Sequence, residues 1–594
     1  MKWMTKLTDR LTGLTDAIAR FPLTTLFLLA AAMINAYDIS TEKSVSKLLL
    51  TFVIGAFLSA VFQVAYERHF SKVSTRFVLM GVVVLLTAGY YLIIMPAPEL
   101  SMEIEIRTAV ALFTLLIAFI WVPVIKSKIS FNKSFMITFK SFFNSLFFSA
   151  IIFGGISIIL AAISQLIFPV DYKAYPHTSN IVFVIFAPMY FLSLIPVYLG
   201  EKDKNKTQET SNHQTETIDK AAHCPKFLEI LISYIVIPLL AVFTLILAIY
   251  ILKNIGGKFW TDNLLEPMLV SYAIAVILVY ILASEIENKF ALFFRRIIPK
   301  VLVPIVLFQI TSSILSLADT GVTHTRYYVI LFGIFAAIAG ILLSFLPVRK
   351  NGVIAALLII FSVISIVPPV DAFTISRTSQ TNTLKNVLLK NNMLVNNKIK
   401  PNVSISNKDK QTITSAVQYL TMMEYTKKIN WLPKNYVYDD FYQTFGFKEY
   451  YQEQENPNPS VYLSLEQPAP ITISGYDTFV QTDIFMGQKN SGGKVTFEKA
   501  GKRFTLLREF KNDHTEISLI GENDHRLLSF NTKKIFDRFT NSTSTAKGQM
   551  SVKEATFKVE SDRAKMAIVV QNVGIEKQNE QNNNALLYVF IKIK

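Results

Sequence analysis

The sequence predicts a polytopic α-helical membrane protein of about 11 transmembrane helices, followed by a C-terminal extracytoplasmic α+β domain that is β-rich and sandwich-like at its end. Three observations predict it. Apolar residues make up 51% of the chain and charged residues only 17%, where soluble chains average nearer a quarter charged. The apolar residues gather in runs of about 20, the length a helix needs to cross a bilayer core. From Asp371 onward the runs give way first to helical spacing and then to strict alternation.

The opening segment, 1–20, places Trp3, Met4, Leu7, Leu11, Leu14 and Ile18 on one helical face beside Lys2, Lys6 and Arg10. That pattern predicts a cytoplasmic amphipathic helix lying on the membrane surface. No small-residue cleavage site follows a short apolar core, so no removable signal peptide is expected. The transmembrane region, 21–370, contains apolar segments at about 21–37, 46–66, 76–95, 106–125, 141–167, 180–199, 227–252, 264–283, 299–317, 326–346 and 353–370. Basic residues alternate between the connecting loops, roughly 22 on one side against 7 on the other. An error of one helix would scramble that alternation. It sets the N-terminus in the cytoplasm and, with an odd number of crossings, everything after residue 370 outside. The formal charge of +16 therefore reflects membrane topology and gives no ground for a nucleic-acid partner. The stretch 201–226 is almost devoid of apolar residues at its start and reads as a mobile cytoplasmic loop.

Residues 371–457 read as a helical neck. "TSQTNTLKNVLLKNNMLVNNKI" predicts one amphipathic helix, and "KDKQTITSAVQYLTMMEYTKKI" a second with Ile413, Val417, Leu420 and Met423 on one face. From 458 to 594 short alternating segments such as "SVYLSLEQ", "KVTFEKAGKRFTLL" and "KMAIVVQNVGI" are separated by turn residues, which predicts closely spaced antiparallel strands.

Enzymatic signatures fail on inspection. No HExxH, paired CxxC, GxSxG or GxGxxG occurs, and with Cys224 alone neither a disulfide framework nor a thiolate metal site can form. No cofactor and no metal are expected. "GQKNSGGKVT" has the wrong glycine spacing for a phosphate loop and reads as a hairpin turn. Polar residues in or beside the spans are Gln63, Lys140, Asn144, Gln165 and Gln309; Lys140 can snorkel to the inner interface, and the glutamines can bond between helices.

The outer rim concentrates acidic residues: Asp38, Glu99, Glu103, Glu105, Asp171, Asp319 and Asp371. Only Arg107 and Arg326 stand among them, and Arg107 has Glu103 one helical turn away. For Arg326 the simplest expectation is an ion pair, with Asp319 a candidate across the turn, that locks two helices. The functional alternative is that Arg326, with Tyr327 and Tyr328, holds an anionic head group.

"GVTHTRYYVILFG" resembles a signature of the bacterial domain-of-unknown-function family four-one-five-three, a group of uncharacterised multi-pass membrane proteins. "DAFTISRTSQTNTLKNVLLKNNMLVNNKI" resembles a second signature of that family just beyond the last span. Gly321, Thr323, Arg326 and Tyr327 match the first; Ser376, Ser379, Gln380 and Leu384 match the second, while Thr383 stands where the family pattern has an arginine. The resemblance covers roughly residues 15 to 430 and implies a bacterial cytoplasmic membrane protein, its C-terminal domain periplasmic in a Gram-negative cell. It implies no activity.

Three functions remain in view. The first is a non-enzymatic envelope scaffold or binding protein, in contact with membrane lipids and displaying an outer domain to a protein or glycan partner. The second is a membrane-embedded transferase acting on a lipid-linked substrate, against which the first outer loop, "DISTEKSVS", is short. The third is a transporter, for which no charged residue deep in a span and no repeat symmetry speak.

Overall fold

The computed structural model describes residues 13–41, 45–97, 99–198, 200, 208–254, 266–433, 436–451, 460–486, 493–511, 514–540, 548–576 and 580–594. The chain divides into two compact units, Met1–Tyr451 and Gln452–Lys594.

The first unit is helical. Among the described residues nine helices are long and apolar enough to cross a membrane: Pro22–Thr41, Ser46–His69, Val73–Ile94, Met102–Val124, Phe131–Leu166, Lys226–Lys253, Lys289–Leu317, His324–Phe345 and Val348–Ile366. The two other expected segments are also helical. Glu266–Leu282 is apolar but has only 17 residues. Ala174–Asn180 continues through the π turn Ile181–Phe186 into Ala187–Ser193, and its first turns are polar. The amphipathic residues Trp3, Met4, Leu7 and Leu11 lie outside the described residues, while 13–20 are helical.

The packing fits a bilayer. Phe131–Leu166 leaves Phe147, Ile158 and Leu166 exposed at 62%, 72% and 81%, an apolar surface that only lipid or protein would cover. Tyr272, Phe294, Leu302 and Val306 are fully or almost fully buried in the common core. The closest helix pair is Lys289–Thr320 against His324–Phe345, where a Cβ on Gly333 would stand 2.7 Å from Ile310 and one on Gly340 2.9 Å from Val303. Small residues there let the backbones approach.

Polar groups in the helices are mostly paired internally. At one end of the bundle Arg20 grips Glu67 through two bonds of 2.9 and 2.8 Å, and Gln63 bridges Glu67 and Arg76. Lys140 donates to the carbonyls of Ala221 and His223, at the C-terminal end of the helix Gln208–Ala222. Gln309 is buried and donates to the Val329 carbonyl, whereas Asn144 and Gln165 are exposed.

Two local expectations are corrected. Within the stretch expected as a mobile loop, Gln208–Ala222 is a helix, because Ile218 and Ala222 bury against the bundle and Asp219 pairs with Lys133 at 2.8 Å. The first neck helix, Ala372–Lys390, stops short of the segment expected to continue it. Leu394–Val395 instead pairs antiparallel with Lys398–Ile399, and Asn396 and Asn397 between them take φ of 50° and 56°. Two successive left-handed residues make the tight turn whose twist suits a hairpin, a role asparagine tolerates well.

The second unit is β-rich, as expected. One antiparallel meander runs through Gly493–Lys499, Lys502–Lys511, His514–Ile520 and Arg526–Asn531. A six-stranded sheet centres on Ala564–Glu576, paired with Asn584–Ile593 on one side and with Thr556–Glu560 and Ser460–Leu465 along the other. Alternate residues from both sheets, among them Ile484, Leu506, Ile517, Leu519, Ile568 and Leu587, share one core. The helix Lys533–Thr540 adds Ile535, Phe536 and Phe539 to it.

Candidate functional site

The corner that joins Lys289–Thr320 to His324–Phe345 is built by three residues in order. Gly321 ends the first helix with φ 68° and ψ 178°, a region that is essentially glycine's alone. Thr323 caps the second helix by accepting from the Arg326 amide at 3.3 Å. His324 follows, its amide and Nδ1 each 3.0 Å from the Tyr419 hydroxyl.

The neck helix closes over this corner. Ser376, Gln380, Leu384 and Leu388 recur every four residues and are all buried. Gln380 donates to the carbonyls of Thr320 (2.9 Å) and Val322 (3.2 Å), and Ser379 Oγ accepts from the Val322 amide at 2.9 Å. A Cβ on Gly321 would stand 2.8 Å from Thr383 Oγ1 and 3.0 Å from Gln380 Nε2. The two motifs singled out in the sequence thus meet, one reading the other's free backbone groups. Thr383 packs against Gly321.

A second junction lies at the start of the neck helix. Asp371 caps it, accepting from the amides of Phe373 (3.0 Å) and Thr374 (3.1 Å). Its side chain is fully buried, and Arg107 reaches it at 2.6 Å while also bonding Glu103 at 2.9 Å. The Arg107 guanidinium lies 4.8 Å from the Phe373 ring centroid and donates to the Ile366 carbonyl. Tyr425, from beyond the second neck helix, donates to the other Glu103 oxygen at 2.9 Å. Tyr327 donates to the Val370 carbonyl at 2.6 Å. The core of the neck accordingly takes in Ile106, Tyr327 and Tyr328 from the membrane helices.

Electrostatics follow from burial. Burial alone would push the Asp371 carboxyl up, but the hydrogen bonds from Thr374 and Phe373 and the Arg107 charge outweigh it and hold the group below the usual carboxylate range. Burial, and then the adjacent Glu103 charge, push the Tyr425 hydroxyl well above its ordinary value, so it remains a donor.

Of the other residues singled out, the Asp319 side chain lies outside the described residues, and with it the expected pairing to Arg326. Asp38 sits on the last turn of Pro22–Thr41, and among the described residues no hydrogen bond or ion pair joins it to the corner. Among the described residues no group of three or more His, Cys, Asp or Glu converges as metal ligands would. Sequence reasoning missed Tyr419, Tyr425 and the reach of Arg107 to Asp371. Asp371 alone carried a signal, as an aspartate immediately before a helical pattern.

The arrangement is a clamp that fixes the neck to the membrane helices. The family described as Domain of unknown function (DUF4153) matches residues 23–398. The chain belongs to this family. The match begins in the first membrane helix and ends in the neck hairpin, so Glu103, Arg107, the Gly321 corner and the neck helix from Asp371 fall inside it, while Tyr419 and Tyr425 lie beyond it. No curated protein and no solved structure matches the chain.

Proposed function

We propose that the protein is a non-enzymatic scaffold of the bacterial inner membrane that holds a fixed neck outside the cytoplasm and presents the β-rich unit to a protein or glycan partner. The observation that carries this reading is the clamp itself: charge pairing and hydrogen bonds at the junction fix the neck to the membrane helices. Arg107 is neutralised by Asp371 and Glu103, and Glu103 is held by Tyr425. The topology adds support. Nine crossings and eleven are both odd, and either number sets the neck on the side opposite the N-terminus. In the eleven-span reading Glu266–Leu282 and the helix through Ile181–Phe186 also cross, the first as a short span where the bilayer thins locally.

An external-side reporter fused after Lys594 tests the topology, with a second fusion within residues 201–207 as its counterpart. Activity of the first and silence of the second is the result expected with eleven spans, and activity of both that expected with nine. Silence after Lys594 overturns the display of the β-rich unit. Crosslinking of the intact protein in cells then tests the scaffold: one reproducible envelope protein or glycan captured through the unit 460–594 is expected.

A further inference from the structure

We infer that the neck carries a binding site for a phosphate-bearing anion beside the membrane, formed by Arg377 and Lys428 over the ring of Tyr425. This goes beyond the scaffold reading and does not depend on it. Arg377 comes from the first neck helix and Lys428 from the 3-10 turn Thr426–Lys428, so two separate elements bring cations to one aromatic ring and one groove. The guanidinium lies 5.7 Å from the Tyr425 ring centroid and the ammonium 5.6 Å. Like charges gathered on one ring repel each other, and among the described residues neither forms an ion pair.

Nearby carboxylates do not cancel them. Glu103 is engaged by Arg107 and by the Tyr425 hydroxyl, and Asp371 by Arg107. Tyr425 is therefore held at its hydroxyl by Glu103, with its ring beside the two cations. Thr381 and Asn382 line the same groove with a hydroxyl and an amide, beside Thr378, whose hydroxyl donates to the Thr374 carbonyl at 2.9 Å, and among the described residues no carboxylate lines it. The groove is open to solvent on one side and holds about 460 Å³. Arginine and lysine beside hydroxyl and amide donors are the side chains that recognise phosphate oxygens.

Position favours a phospholipid as the source. The neck helix starts at Ala372, a few residues after the last apolar helix ends at Ile366. Arg377 stands five residues along it, within about 8 Å of helix rise from that start. A head-group layer is roughly that deep on each side of the hydrocarbon core. The chemistry alone would equally suit a soluble phosphate ester, so the test separates the two.

The full-length protein in detergent would be titrated with phosphatidylglycerol and, as a control, phosphatidylcholine, with binding read by native mass spectrometry. A parallel thermal-melt titration would use glycerol phosphate. The expected result is preferential retention of phosphatidylglycerol that weakens by roughly 30-fold in Arg377→Gln/Lys428→Gln, with an unchanged lipid-free melt. Protection by glycerol phosphate in the wild type and not in the variant, without a preference for the lipid, supports the anion site and assigns it to a soluble ester. Equal phosphatidylglycerol binding by wild type and variant, with no protection by glycerol phosphate, overturns the proposal. If the double variant folds poorly, Lys428→Gln alone serves, since that side chain is exposed and its loss should weaken binding by roughly fivefold.

Discussion

Gly321 is the residue on which the corner turns, and its role has two separable causes. Its backbone lies where side chains other than glycine's are strained, and the space a Cβ would take is already held by Thr383 and Gln380. Gly321→Ala should cost about 1–3 kcal/mol from the backbone alone, before any clash, and a thermal melt in detergent would show it. An unchanged melt would mean the corner relaxes freely. Arg107 offers a sharper case. Removing it in Arg107→Met leaves Asp371 buried without its cation, a loss of about 3–5 kcal/mol by the behaviour of buried pairs, whereas Arg107→Met/Asp371→Asn should recover part of it. The pH dependence has a definite sign. The folded Asp371 carboxyl binds its proton less readily than the unfolded one, so its contribution is complete above the unfolded value of about 3.9 and is lost as pH falls through the lower folded value. Melting between neutral pH and about 5 should therefore carry no signature of this group, and a wild-type loss below about 4 should be smaller in the double variant. The pairing of Arg107 with Glu103 was legible because helical neighbours four apart face each other. Its pairing with Asp371, 264 residues away, had no local signal.

At the scale of elements, what could be read from the sequence depended on whether a pattern repeats within a few residues. Apolar runs of membrane length and period-two strands such as Ala564–Glu576 do so, and both appear where the spacing puts them. The helix Gln208–Ala222 does not: its anchoring rests on Ile218 and Ala222, too few to show against the polar background. The end of the neck helix was missed for another reason. "NNMLVNNKI" continues an apolar spacing compatible with a helix, and only the paired asparagines at 396 and 397 mark the hairpin. The neck motif was legible as a motif and opaque as a contact, since periodicity shows that Ser376, Gln380 and Leu384 share a face but not that the face covers the corner. Leu384 is fully buried in the neck core, so Leu384→Ala should destabilise by about 2–5 kcal/mol. The expected signature in hydrogen exchange is faster exchange in both neck helices, with the amides of Lys289–Thr320 unaffected. Uniform loosening of the whole first unit would instead show that neck and membrane helices unfold as one.

At the scale of the molecule, the two units differ in what they need in order to fold. The first has a core of membrane helices and, joined to it through Ile106, Tyr327 and Tyr328, the core of the neck. The second buries Ile517, Leu519, Ile568, Leu587 and their neighbours in a core drawn entirely from residues after 460. A unit with its own core is expected to fold alone. A chain ending at Tyr451 should therefore insert and melt in detergent as the full-length protein does, because the clamp of Arg107, Asp371, Glu103 and Tyr425 lies wholly before that point. The segment 452–594 should in turn be soluble and unfold cooperatively in denaturant, with one transition seen by both far-UV and near-UV circular dichroism. A truncated chain that fails to insert would show that the β-rich unit supports the membrane helices directly. An isolated segment without a cooperative transition would show the dependence running the other way. Either failure would make the β-rich unit part of the membrane machinery, and a display role would then no longer account for why it is joined to a neck held so firmly.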